Sequence, residues 1–354
     1  MTNFSGTRIA DLVNIACSEL SPTRDVLECM NLSTWRFFVV LDEEGRLVGT
    51  LTDGDVRRAM LSGATIDDPV GRCMHRDAIV GRQGDDVENT RLLAKAPFLP
   101  ILDADDRVVE VQVRTAEPEG ISTALVMAGG RGSRLGEYTD NLPKPLIPVG
   151  GQPILEHILD ELEEAEIGTI FVALHYMAEK VEAFLDQREN KATFNIIRED
   201  RKLGTVGALG LLPEPQLRPI LVINGDLMTR TDYLSVDSFH WRHDYDATIA
   251  VAQYETEVPY GVVQHDPDGL FLGIDEKPAL RHFVAAGIYY LSPEFCSLVP
   301  QNEPMDMPDL LNRGREVGLR IGLFPIHEYW RDVGKPDDLE AAAREHVSMK
   351  EDES

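Results

Sequence analysis

The chain has 354 residues, a formal net charge of -27 and 43% hydrophobic residues. That length suits about two domains of ordinary size, and the apolar content excludes wholesale disorder. The acidity argues against nucleic acid and anionic membranes, since both need a basic face.

The four cysteines, Cys17, Cys29, Cys73 and Cys296, show neither paired spacing nor a His spacing suited to zinc. They read as reduced thiols of a cytoplasmic protein. Asp11 and Asn14 interrupt the N-terminus, so no signal peptide is expected. No apolar run approaches the ~20 residues of a membrane helix.

In the first third, Phe37 to Val48 reads as strand, acidic turn and strand, and the pattern returns from Phe98 to Val109. The offset is 61 positions throughout, and it carries Asp25-Val26 onto Asp86-Val87 at the helical segment before each hairpin. A constant offset marks two copies of one small unit. A further helix, Asp53 to Leu61, follows the first hairpin. One copy of about 60 residues buries little surface, whereas two packed together form a core. Gly49, Thr52 and Asp55 stand as Gly-x-x-Thr-x-x-Asp, a strand end leading to a helix N-terminus. The plain alternative is a helix cap. At the same offset the second copy has Glu110, Val113 and Ala116, so it lacks the pattern. Residues 5–115 resemble the CBS-domain pair. The resemblance implies an α+β regulatory module over 1–118, with repeats at about 5–65 and 66–117. It also implies at most one adenine-nucleotide site, at Thr52 and Asp55.

Residues 116–120 read as a short linker. Strands are then expected at Thr123–Met127, Thr169–Leu174, Phe194–Arg198, Pro219–Asn224, Ala247–Val251 and Ala285–Leu291. Helices are expected at Ile154–Glu166, Ala178–Arg188, Thr205–Leu211 and Pro308–Glu316. This alternation argues for an α/β domain around a largely parallel sheet, with ligands beyond the carboxyl ends of the strands.

Directly after the first of these strands comes Ala128-Gly129-Gly130-Arg131-Gly132-Ser133-Arg134-Leu135. Its glycines let backbone amides close on phosphates, and Arg131 and Arg134 supply charge. The spacing is neither that of a P-loop nor that of the dinucleotide fingerprint. Lys144, within Pro143-Lys144-Pro145-Leu146, stands on a stiff segment suited to a preorganised charge. Leu203-Gly204-Thr205-Val206-Gly207-Ala208-Leu209 reads either as a helix start with packing glycines or as a ligand approach. Asn224-Gly225-Asp226 ends a strand, where Asp serves as cap, turn residue or metal ligand. Tyr260-Gly261-Val262, Glu276-Lys277-Pro278, Ala286-Gly287-Ile288-Tyr289, Asp306-Met307-Pro308-Asp309 and Trp330-Arg331-Asp332-Val333-Gly334 follow. The histidines form no cluster, and His240 and His243 fall on an expected surface helix.

Taken in order, the motifs over about 122–335 resemble the sugar-1-phosphate nucleotidyltransferases. The resemblance implies a Rossmann-like α/β domain with a mostly parallel sheet over 121–347, followed by an acidic tail at 348–354. It implies nucleotide binding by Ala128, Gly129, Gly130, Gly132, Ser133, Arg134, Glu199, Gly204, Thr205 and Gly225. Arg134, Lys144, Asp226 and Asp332 would be catalytic, with Mg²⁺ held by Asp226 and Asp332. Tyr260, Gly261, Glu276, Lys277 and Gly287 would bind the sugar phosphate. The implied substrates are an NTP and a sugar 1-phosphate, most like GTP and a hexosamine 1-phosphate as in the guanylyltransferases of nonulosonic (legionaminic) acid pathways. Mannose-1-phosphate guanylyl transfer is the nearest alternative, and uridylyl or thymidylyl transfer comes next. A catalytically silent nucleotide-sugar sensor is the alternative of another class, against which the intact Arg134, Lys144, Asp226, Lys277 and Asp332 stand. No β-helix repeat follows Asp332, so no acetyltransferase domain is expected. The CBS resemblance implies a homo-oligomer, dimer or higher.

Overall fold

The computed structural model describes residues 6–33, 35–93, 96–114, 120–189, 191–213 and 215–352. The chain divides into two compact units, residues 1–119 and 120–354. Gly120 apart, the linker expected over 116–120 lies outside the described residues, and so does Ala116.

The first unit runs β1 (Gly6–Ile9), α1 (Thr23–Leu32), β2 (Phe37–Leu41), β3 (Leu47–Thr52), α2 (Asp53–Leu61), α3 (Asp86–Leu93), β4 (Phe98–Leu102) and β5 (Val108–Arg114). The hairpins β2–β3 and β4–β5 repeat at the offset of 61. β1 pairs antiparallel with β5, so the first residues of the 5–65 repeat complete the sheet of the second. The repeats at 5–65 and 66–117 are therefore not separate bodies. Equivalent residues meet along a local twofold axis. The rings of Phe37 and Phe98 stack with centroids 4.0 Å apart. Leu47 N–H donates to the Asp106 carbonyl at 3.2 Å, and Val108 N–H donates to the Gly45 carbonyl at 3.3 Å. Ile15, Phe37, Val39, Phe98, Leu102 and Val111 share one core, burial that neither copy achieves alone.

The second unit is built on a seven-stranded sheet. It begins with β6 (Thr123–Met127), α4 (Ile154–Glu164), β7 (Thr169–Leu174), α5 (Ala178–Leu185), β8 (Thr193–Arg198) and β9 (Ile220–Asn224). There follow β10 (Leu227–Thr229), α6 (Tyr233–Arg242), β11 (Ala247–Glu257), β12 (Gly261–His265), β13 (Phe271–Glu276) and β14 (Ala279–Leu291). It ends with α7 (Met307–Glu316), β15 (Ile321–Ile326), β16 (Trp330–Asp332) and α8 (Pro336–Asp352). The sheet order is β8-β7-β6-β9-β14-β11-β15, and β14 is the strand that runs against the rest. Ala124, Leu125 and Val126 of β6 are wholly buried, as the apolar run of a strand covered on both faces requires. On α4, Ile154, Leu155, Ile158, Leu159 and Leu162 form one helical stripe against that sheet.

Three expectations change. Instead of a helix over Thr205–Leu211, the chain makes only a 3₁₀ turn at Gly207–Leu211. A Cβ at Gly210 would stand 2.4 Å from the Pro300 carbonyl, so this glycine serves close backbone packing. His240 is buried rather than exposed; its Nδ1 lies 2.9 Å from the Thr248 hydroxyl, and burial pushes its pKa down to about 4. The backbone shows no separate tail from 348, because α8 runs on to Asp352. Among the described residues, no helix is long and apolar enough to cross a membrane.

Candidate active site

After β6 the chain builds β7 and β8 on one side, then crosses to β9 on the other. The carboxyl ends of β6 and β9 thus flank the switch point of the sheet, the place where ligands bind in open α/β sheets. The glycine loop leaves β6 there, and Asn224-Gly225-Asp226 leaves β9.

Close backbone approach shapes the loop. Gly225 N–H donates to the Met127 carbonyl at 2.9 Å, and a Cβ on Gly225 would come within 3.1 Å of Ala128. A Cβ at Gly129 would lie 3.2 Å from His175, whereas Gly130 faces open space. Gly132 has φ +67°, and a Cβ there would meet the stem of Lys144 at 2.8 Å. Ser133 opens a 3₁₀ segment, Ser133–Thr139, and Leu135 anchors it in the core. Arg131 rests over the Tyr176 ring, 5.5 Å from its centroid.

Lys144 is buried, and its ammonium donates to Asp226 and stands 3.9 Å from Asp332. The two carboxylates, 106 positions apart in sequence, are joined by the backbone. β10 pairs antiparallel with β16, Leu227 lies opposite Asp332, and Val333 N–H donates to the Asp226 carbonyl at 3.0 Å. The Trp330 indole donates to the Ala286 carbonyl at 2.8 Å, tying β16 to β14. Burial and the neighbouring Asp226 charge raise the pKa of Asp332, while Lys144 and Arg134 oppose that shift. The Arg134 guanidinium lies 3.6 Å from where a Cβ of Gly334 would stand.

Glu199 is buried beside the loop, and its carboxylate accepts the Leu203 N–H at 3.0 Å. Burial raises its pKa. Gly204 and Thr205 have structural duties. Gly204, at φ +85°, passes so near the Met305 carbonyl that a Cβ would lie 2.5 Å away. The Thr205 hydroxyl accepts the Met307 N–H at 2.8 Å, and Thr205 N–H donates to Asp306 at 2.9 Å, so Thr205 anchors the start of α7.

On the sugar side, Tyr260, Gly261, Glu276 and Lys277 belong to the β12–β13 hairpin and its flanks, where Gly261 pairs with Glu276. Any side chain at 261 would meet the Glu276 carboxylate at 2.9 Å. Lys277 has a left-handed φ of 48°. Gly287, at φ +75°, packs on Asn224, where a Cβ would lie 2.7 Å from the amide nitrogen. The structure thus brings Arg134, Lys144, Asp226 and Asp332 together and sets Gly287 beside them, with the other sugar-side residues on the hairpin. The motifs leave out Tyr176; its position just past the carboxyl end of β7 is the signal that marks it.

In the first unit, Thr52 and Asp55 form a capping box on α2. Asp55 accepts the Thr52 N–H at 2.8 Å and its hydroxyl at 2.6 Å, and pairs with Arg58. A groove of about 320 Å³, lined by Asp55, Arg58, Arg72 and His75 among others, opens beside them.

Two neighbouring carboxylates suit magnesium, which takes one or two protein carboxylates and fills its shell with phosphate oxygens and water. Among the described residues no cluster of three or more His, Cys, Asp or Glu groups could hold a metal unaided. Asp226 and Asp332 therefore fit an ion that arrives with a substrate phosphate.

The sequence model of the CBS domain matches residues 11–62. The mannose-1-phosphate guanylyltransferase catalytic subunit beta of Drosophila pseudoobscura pseudoobscura is 30% identical over 223 residues, 61% of this chain and 60% of that protein. The mannose-1-phosphate guanyltransferase of Schizosaccharomyces pombe is 31% identical over 224 residues, 61% of each chain. The bifunctional protein GlmU of Methanococcus maripaludis is 27% identical over 228 residues, 62% of this chain and 53% of that protein. The chain thus spans about three fifths or less of these relatives' length. The crystal structure of HddC from Yersinia pseudotuberculosis superposes with a TM-score of 0.51 at 24% identity, covering 64% of this chain and 100% of that one; it attests the fold. The sequence model of the nucleotidyl transferase family matches residues 123–348, nearly the whole second unit, and the chain belongs to that family.

Proposed function

We propose that the second unit transfers a nucleoside monophosphate from an NTP to a sugar 1-phosphate and releases pyrophosphate. The observation that carries this reading is the meeting of Lys144, Asp226 and Asp332 at the sheet switch point beside the glycine loop. A sugar-phosphate oxygen forms a bond to the α-phosphorus as the bond to the β-phosphate oxygen breaks. That oxygen is already anionic, so catalysis is positioning and charge neutralisation rather than proton transfer. Gly129, Gly130, Gly132 and Ser133 cradle the triphosphate with Arg134. Lys144 offsets charge at the α-phosphate. Ala128, Glu199, Gly204, Thr205 and Gly225 flank the nucleotide. Glu276 accepts from sugar hydroxyls, Lys277 pairs with the sugar phosphate, and Tyr260, Gly261 and Gly287 shape the space for the ring. Asp226 and Asp332 would hold magnesium, which would supply positive charge to offset the phosphates.

The guanylyltransferase names of the relatives support GTP as the nucleotide. The sugar 1-phosphate is a hexosamine 1-phosphate, a reading that rests on the order of the motifs and on the CBS segment ahead of them. An adenine nucleotide binds at Thr52 and Asp55 and adjusts the rate, in a cytoplasmic homo-oligomer. Pyrophosphate release across four NTPs and a panel of hexose and hexosamine 1-phosphates tests the reading. GTP with a hexosamine 1-phosphate should be the fastest pair. Absence of release with every pair overturns the transferase reading in favour of a silent nucleotide-sugar sensor. Repeating the best pair with AMP or ATP tests the first unit: the rate should change, and Asp55→Ala should abolish the change.

A further inference from the structure

Asp332 stands on β16, a strand of three residues whose ladder partner is β10. A ladder of two strands is marginal in water without further anchorage. Among the described residues the Asp332 carboxylate makes no hydrogen bond, and its ion pair with Lys144 is long, at 3.9 Å. Where this carboxylate points therefore depends on where the backbone of β16 is held. In front, the Trp330 indole reaches the Ala286 carbonyl at 2.8 Å. Successive side chains of a strand point to opposite faces, so Arg331 lies behind a strand that carries Trp330 and Asp332 in front.

One carboxylate takes hold of that back face. Glu345 Oε2 accepts from Arg331 Nε at 2.8 Å, and Oε1 accepts from Arg331 Nη2 at 2.5 Å. The Tyr329 hydroxyl donates to Oε2 at 2.9 Å, which places Tyr329 on the same side as Arg331. A two-pronged pair of guanidinium and carboxylate fixes orientation as well as distance. The hydrogen bonds from Arg331 hold the Glu345 carboxyl below the usual glutamate range, so it stays anionic at neutral pH. Glu345 belongs to α8, where Leu339 and Ala342 are buried in the core of the sheet. The same three-residue spacing carries Glu345 onto the inner face of the helix. Its grip on β16 is thus fixed to the core rather than to a loop. Among the described residues the hydrogen bonds of the Glu345 side chain go to Tyr329 and Arg331 alone, so its reach to Asp226, Asp332 and Lys144 passes through β16.

On the transferase reading of that cluster, we propose that Glu345 is a positioning residue for the reaction: gripping Arg331 and Tyr329 from behind, it sets β16 so that Asp332 stands beside Asp226 and Lys144. The full chain is compared with Glu345→Gln, Arg331→Met, their double variant and Tyr329→Phe. Two readouts are taken: the Mg²⁺ concentration that half-saturates pyrophosphate release with the best substrate pair, and the affinity for Mn²⁺ alone by electron paramagnetic resonance. Removing a group that orients a metal-binding side chain weakens metal affinity about 10- to 100-fold. Glu345→Gln should shift both readouts by about that factor, with a KM for the NTP close to wild type and a cooperative melt. Arg331→Met should match it. The double variant should lose no more than either single one, because all three break the same contact. Tyr329→Phe removes one bond of the three and should shift both readouts in the same direction by less; it serves where a stronger variant fails to fold. Unchanged metal dependence in Glu345→Gln and Tyr329→Phe, or losses that multiply in the double variant, overturns the role of Glu345. A wild type that binds Mn²⁺ but releases no pyrophosphate overturns the transferase reading, and the Mn²⁺ titrations then decide whether Glu345 sets Asp332.

Discussion

Lys144 donates its ammonium to Asp226 and stands within 3.9 Å of Asp332. The lysine thereby offsets the repulsion between two carboxylates that the β10–β16 ladder forces into proximity. Asp226→Asn and Asp332→Asn should each lower kcat/KM for magnesium-dependent pyrophosphate release by about 10²-fold or more, while thermal unfolding stays cooperative. Wild-type turnover in both variants would remove the metal assignment.

Tyr176 holds Arg131 over its ring. Such a contact is worth about 0.5–2 kcal/mol. Tyr176→Leu should raise the KM for the NTP by roughly 2- to 30-fold with little change in kcat. Tyr176→Phe, which keeps the ring face, should restore it. Equal losses in both variants would point to the hydroxyl or to folding instead.

The stacked pair Phe37 and Phe98 sits in the core shared by the two repeat copies. Phe37→Ala and Phe98→Ala should each destabilise the first unit by about 3–5 kcal/mol. The double variant should cost less than the sum, because the two rings contact each other. Urea unfolding followed by fluorescence of Trp35, which lies beside Phe37, measures this. Additive losses would show that the rings act separately.

Glu161 on α4 accepts from Arg230 at 2.9 Å, next to the β10–β16 ladder. Burial, the largest cause, pushes its pKa up from 4.5 to about 7, against the opposing charge of Arg230. Between these values the folded state binds more protons than the unfolded chain, so this group's contribution is full below about pH 4.5 and lost as pH rises to about 7. Wild type should lose about 1–3 kcal/mol of stability between pH 4.5 and 7 relative to Glu161→Gln. Melting temperatures across that range provide the comparison, and parallel profiles would rule the linkage out.

Much of this was legible because local rules and tertiary outcome agree. β6, β7 and β9 are apolar runs bounded by turn residues, and a strand buried on both faces needs no more. The repeat was visible as a fixed offset, and Phe37 and Phe98 owe their meeting to it. Proximity that depends on the fold left little local trace. The sequence gives no reason to seat Tyr176 under Arg131, and the burial of His240 depends on Thr248 across the α6–β11 turn. The glycines at 207 and 210 could serve a helix start or close packing, and only the backbone at 300–303 decides between them.

The ladder between Leu227 and Asp332 has a consequence for how the protein is made. A chain growing on the ribosome exposes Lys144 and Asp226 long before Asp332, and until Trp330-Arg331-Asp332 emerges β10 has no partner strand and Asp226 no second carboxylate beside it. The cluster of Lys144, Asp226 and Asp332 therefore assembles only after every strand of the seven-stranded sheet has been made. On the proposed transfer reaction, a fragment ending before residue 330 should release no pyrophosphate, however well its sheet has formed.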